Sequence, residues 1–81
     1  MTATLRDLGY NLRTLRLQAG LYQGDLASLV GVVPSAISHY ENAQREPSLS
    51  TALRLAQALD TTLDTLCGER LIAPSRRWRD E

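Results

Sequence analysis

Lysine is missing from this 81-residue chain: all nine basic side chains are arginines, and nine acids bring the formal net charge to zero. A protein that captures a polyanion through its overall field is basic, so that mode of binding is excluded. Any affinity for nucleic acid has to come from local placement, helix dipoles and neutral hydrogen bonds. Cysteine is reduced to Cys67, which excludes an internal disulfide and fits a reducing cytoplasm; its simplest role is that of a small apolar residue near a helix end. One histidine, His39, and one distant cysteine are too few ligands for a zinc site. Apolar runs extend over only a few residues, too short to cross a membrane, and the start MTATLRDLGYNLR lacks the apolar stretch of a secretory signal. Nor is there a nucleophile–base arrangement, a glycine-rich phosphate loop or a metal cluster. No catalytic activity and no cofactor are therefore expected.

What is present is helical periodicity, with little sign of strands. Leu5, Leu8, Leu12 and Leu15 recur at intervals of three and four, the stripe of an amphipathic helix. Thr4 with Asp7 three residues on reads as a capping box, and Gly20 as the stop. A second helix fits 23–30 and a third 34–42, with Gly31 between them and Pro34 in the first turn, where its missing N–H has no helical partner anyway. A fourth runs from about Ser48 to Leu59, with Leu49, Ala52, Leu53, Leu55, Ala56 and Leu59 as its apolar positions. A short fifth begins after Thr62, its expected cap. The expectation is an all-α fold: a single compact bundle of five short helices over 1–68, followed by a C-terminal tail, 69–81, partly ordered or associated with a dimer. The end of that tail, PSRRWRDE, reads as mobile; RRWR admits a DNA-contact reading beside a merely disordered one, and Trp78 could equally dock on a partner subunit.

Two features of helix 1 carry more than packing. At 100° per residue Arg16 projects within about 20° of Leu5, at the edge of the buried stripe, where an unpaired guanidinium is very costly. Glu41, closing the third helix, is the expected partner in an ion pair that ties helix 1 to helix 3. On the other side Arg6, Tyr10, Arg13 and Leu17 form a second strip, either ordinary surface or a seat for the C-terminal segment or a second subunit.

The stretch QGDLASLVGVVPSAISHYEN, residues 23–42, meets several independent demands at fixed offsets. Two helices crossing steeply over a short turn need a small residue at the crossing, which is Ala27, and a residue free to take positive φ, which is Gly31. They also need inward apolar groups, which are Leu26, Val30, Val32, Ile37 and Tyr40. In this register, together with LRTLRLQAGLYQGDLASLVGV and ISHYENAQREPSLSTALRLAQALDTTLDTL, the chain resembles the phage repressor and Cro-type helix-turn-helix DNA-binding domains over roughly residues 12–66.

The resemblance implies a lambda repressor-like fold whose third helix enters the major groove of double-stranded DNA. It implies a homodimer on a pseudo-palindromic operator, joined through the fifth helix and the segment after it. Carried over by position, Gln23 opens helix 2 where relatives bind a phosphate or brace a base-reading side chain; ordinary solvation of a helix start is the plain alternative. Pro34, Ser35, Ser38 and His39 match base-contacting positions, although His39 also reads as a phosphate contact or an exposed helical residue. Asn42, Gln44 and Arg45 match the loop on the phosphate backbone, and Arg16 with Glu41 match a family ion pair. Three departures stand out. Tyr22 and Val33 replace the Ser or Thr expected as caps of helices 2 and 3, and Ala43 stands where glycine is common. The reading face also lacks the Arg–guanine and Gln/Asn–adenine pairings that discriminate best, so specificity is expected to draw on DNA shape and half-site spacing. Such a regulator suits a phage immunity switch, a restriction–modification controller or an antitoxin. A protein-interaction module that keeps the fold and binds a partner such as a toxin is the alternative, and the neutral charge is its main argument.

Overall fold

The chain forms five helices in a computed structural model that describes residues 4–71: α1 (Leu5–Gln18), α2 (Gln23–Val30), α3 (Pro34–Glu41), α4 (Leu49–Ala58) and α5 (Leu63–Cys67). The expected C-terminal stretch PSRRWRDE, with RRWR and Trp78, lies outside the described residues. Three helix starts are fixed by hydroxyl caps. Thr4 Oγ1 accepts from the Asp7 N–H while the Asp7 carboxylate accepts from the Thr4 N–H, a reciprocal box. Ser48 accepts from the N–H of Thr51, and Thr62 from that of Thr65. Two stops use left-handed glycines, Gly20 at φ 74° and Gly31 at φ 77°. The ends of the fourth helix expected from the sequence, Ser48 and Leu59, are its caps, and Asn42 caps α3 in place of forming its last turn.

The core draws on every helix: Leu8 and Leu12 of α1, Leu26, Ala27 and Val30 of α2, Ala36, Ile37 and Tyr40 of α3, Leu55 and Ala56 of α4, and Leu66 of α5. Each leucine removed from water stabilises the fold by about 1.5–3 kcal/mol. Leu5, Leu15 and Val32 pack on the rim. One expectation fails in α4. Leu49 and Leu53 belong to its apolar pattern, yet they are 68% and 43% exposed. The buried face is centred on Ala52, Leu55, Ala56 and Leu59, and these two leucines lie about 70° and 110° round the helix from that centre. The apolar arc is wider than the surface available to cover it.

α1 and α3 touch backbone to backbone at Gly9, where a Cβ would come within 2.6 Å and 2.7 Å of the Glu41 and Tyr40 carbonyl oxygens. A second long-range tie is Asn11, a wholly buried residue of α1. Its side-chain Nδ2 lies 3.1 Å from the Leu66 carbonyl oxygen and 3.2 Å from that of Glu69, capping the end of α5, and its Oδ1 accepts from the Leu71 N–H at 2.8 Å. The same strap sets the Arg70 guanidinium 4.6 Å above the Tyr10 ring and 3.4 Å from the Asp7 carboxylate. Thus the segment after α5 covers Tyr10 in the second strip of helix 1, while Arg6, Arg13 and Leu17 stay exposed.

Candidate nucleic-acid interface

Ala27 of α2 and Ala36 of α3 are both buried in the shared core, where a larger side chain would have to displace its neighbours. Gly31 at φ 77° turns the chain between them, and the Gly31 and Val32 N–H groups both donate to the Ala27 carbonyl. With Ala36, Ile37 and Tyr40 facing inward, the opposite face of α3 has to face out. Pro34, Ser35 and His39 are exposed and Ser38 is half-buried. Asn42 is exposed one turn beyond Ser38 and donates from Nδ2 to its Oγ at 3.4 Å. Gln44 and Arg45 are exposed in the following loop. That loop closes with the Gln44 N–H on the His39 carbonyl at 2.8 Å and forces Ala43 into φ 59°.

Behind this face lies a polar knot. Arg16 donates from Nε to Glu41 Oε2 at 2.6 Å and from Nη2 to Oε1 at 3.1 Å, while Nη1 reaches the Leu21 carbonyl at 2.8 Å. The two side chains are only 8% and 2% exposed. Gln23 adds a third donor, from Nε2 to Glu41 Oε1 at 3.1 Å. One carboxylate therefore fixes the end of α3 to α1 and to the start of α2. Of the two roles the resemblance offered for Gln23, phosphate ligand or brace of a base-reading side chain, the structure displays a third arrangement, a brace on Glu41. Among the described residues nothing else engages its amide, so its second N–H faces no competitor.

The two helix starts differ in what they leave open. Neither Tyr22 nor Val33 supplies a capping side chain. At α2 the Asp25 carboxylate takes the Tyr22 N–H at 2.9 Å and adds negative charge to the first turn. No acid sits in the first turn of α3. An anion is thus better received at α3, where the helix dipole is unopposed. Val33 and Tyr22 are 62% and 80% exposed, an apolar and an aromatic group at the two helix starts. The sequence signalled their missing caps but not how far they stand into solvent.

Gly9 and Asn11, which hold this platform in place, were not singled out from the sequence. The periodicity gives no signal for Asn11: at 100° per residue it lies about 40° outside the arc of Leu5, Leu8, Leu12 and Leu15. A helix-turn-helix family model matches residues 12–66. The chain belongs to the Cro/C1-type helix-turn-helix family. It is 32% identical over 68 residues to antitoxin HipB of Escherichia coli O6:H1 (strain CFT073), a match covering 84% of this chain and 71% of that protein. Among solved structures it is similar to the restriction–modification controller protein C.AhdI of Aeromonas hydrophila, with TM-score 0.74 and 42% identity over 76% of this chain and 94% of that one. The P22 c2 repressor, solved in complex with a synthetic operator, matches with TM-score 0.71 and 34% identity over 73% of this chain and 89% of that one. The fold and family make the chain a DNA-binding transcriptional regulator.

Proposed function

We propose that the chain acts as a dimeric repressor that lays α3 in the major groove of a pseudo-palindromic operator, working by binding and not by catalysis, in the cytoplasm where its DNA lies. The observation that carries this reading is the outward face of α3: Ser35 and His39 are exposed on a helix whose far end is locked by the Arg16–Glu41–Gln23 knot. In this reading Ser35 and His39 meet base edges, with Pro34 and Ser38 beside them. The open start of α3 receives a phosphate. Gln23 uses its second N–H on the backbone, and Asn42, Gln44 and Arg45 hold the flanking strand. Backbone contacts set the register and the α3 side chains add sequence preference.

Selection from random duplexes tests it. A two-fold symmetric motif should emerge; Ser35→Ala and His39→Ala should each weaken binding to that motif more than binding to unrelated duplex, because a lost base contact lowers specific affinity selectively. Arg45→Ala should weaken both alike and reduce the salt slope by about one. With arginine the only strong cation, the slope should correspond to about 3–5 counterions per domain. Absence of any enriched motif, together with no salt-sensitive binding, would overturn the reading. A second reading, in which the chain also binds a protein partner such as a toxin, draws support from the neutral charge and from the name of its HipB relative. Co-purification from a host carrying the neighbouring genes separates the two.

A further inference from the structure

We infer that Val33 is the residue with which this chain selects thymine: it leads α3 into the groove and packs on the 5-methyl group of one pyrimidine in each half-site. The inference rests on the DNA-binding reading proposed above.

Among the exposed large apolar side chains of the described residues, Val33 alone directly precedes α3. A reading helix that presents its N-terminal residues to base edges carries the residue before it foremost. Leu17, Leu29, Leu49 and Leu53 are exposed as well, but they belong to α1, α2 and α4, and Tyr22 precedes α2. The backbone at Val33 is extended, at φ −78° and ψ 152°, and its carbonyl accepts the Ala36 N–H at 2.9 Å. The main chain is thus fixed by the helix it starts, while the residue stays 62% exposed. A β-branched side chain is stiff at χ1, so it gives up little freedom on making a contact.

The free domain gains nothing from a valine here. Serine or threonine would cap α3, whereas Val33 supplies no cap and leaves most of its surface in water. Pro34 extends the same tip, being exposed and without an N–H. The leading end of α3 therefore presents two apolar groups before the first hydroxyl, that of Ser35. The major groove offers hydrogen-bonding edges on every base pair but one apolar group, the 5-methyl of thymine. An apolar tip set against donors or acceptors leaves them unpaired, at a cost; set against the methyl, it gains by burial. The contact adds discrimination to a helix that carries no arginine, glutamine or asparagine of its own. 5-Methylcytosine bears the same methyl group, so the test has to separate the two bases.

That test removes the methyl and nothing else. The full chain is titrated against its selected motif with uracil in place of thymine, one position at a time. One position in each half-site should lose about fourfold in affinity, the change expected for one methyl group, and about sixteenfold when both half-sites are altered. Cytosine there should bind more weakly than 5-methylcytosine by the same factor. Val33→Ser, which restores a capping hydroxyl, and Val33→Ala should each bind the thymine and uracil duplexes alike. His39→Ala, weaker throughout, should keep the fourfold difference. Each comparison is a ratio within one protein, so a general loss of stability or affinity cancels. A motif in which every thymine tolerates uracil would overturn the inference and leave the DNA-binding reading intact. So would a uracil penalty that survives unchanged in both Val33 variants, since another residue would then hold the methyl. A position that prefers 5-methylcytosine to thymine would overturn the choice of base. Absence of any selected motif is the distinct failure of the reading beneath it.

Discussion

Arg16 and Glu41 meet in two parallel hydrogen bonds, 2.6 Å and 3.1 Å long, across the gap between the first and third helices, almost out of water. Removing one partner strands a charge in the interior. Glu41→Ala should cost about 3–5 kcal/mol in urea denaturation, whereas replacing both with apolar residues, Arg16→Met with Glu41→Leu, should recover most of that loss. A single-variant loss below about 1 kcal/mol, the usual range of an exposed pair, would contradict the burial seen here.

Gly9 is fixed by space and not by its backbone angles. The methyl of Gly9→Ala would meet two main-chain carbonyl oxygens at 2.6 Å and 2.7 Å, and backbone cannot swing aside as a flexible side chain can. Alanine gains up to about 1 kcal/mol of helix propensity, but separating α1 from α3 should outweigh it, for a net loss of about 1–3 kcal/mol. Thermal unfolding decides the matter; a rise in Tm would show that the two helices can part freely.

Ala43 offers the opposite case. At φ 59° its Cβ is crowded, a strain of about 1–2 kcal/mol, while glycine there loses about 0.5–1 kcal/mol more chain entropy on folding. Ala43→Gly should therefore stabilise the domain by about 0.5–1 kcal/mol, read as a higher urea midpoint with an unchanged slope. An unchanged or lower midpoint would mean that the loop relaxes around the alanine.

How much of this was legible in advance depends on the range of each interaction. The capping box of Thr4 and Asp7, the glycine stops and the caps at Ser48 and Thr62 are contacts within a few residues, and the sequence displays them directly. Arg16 and Glu41 are 25 residues apart, yet a lone arginine at the edge of a leucine stripe demands an acid. Gly9 and Asn11 raise no such demand. A glycine in a helix and an asparagine between leucines look like flaws until α3 and α5 arrive. The exposure of Leu49 and Leu53 was hidden for the converse reason: periodicity reports the width of an apolar arc but not the width of what covers it. For the proposed reading face, exposure of Ser35 and His39 follows from the burial of Ala36, Ile37 and Tyr40, whereas base contact is a property of a complex with DNA.

Asp7 gives the domain an acid sensitivity of known sign. The Thr4 N–H holds its carboxyl below the ordinary carboxylate range, with further help from the Thr4 hydroxyl and Arg70, against a smaller opposing effect of burial. A carboxyl depressed in the folded state contributes stability that is present above its unfolded value, about pH 4, and is lost as pH falls through its folded value. Asp7→Asn should flatten the stability profile below about pH 4 and leave its shape at neutral pH unchanged. Parallel urea titrations of the two proteins check this; identical acid limbs would refute it.

Asn11 bonds to residues 54 to 60 positions later in the chain, and α5, at five residues, is too short to persist without that support. A ribosome making this protein must therefore release Glu69 before the amide nitrogen planted near the start finds all its carbonyls, and Leu71 before the amide oxygen finds its N–H. The nascent chain waits for its own closing strap, and no shortened message that stops before it can yield a finished domain.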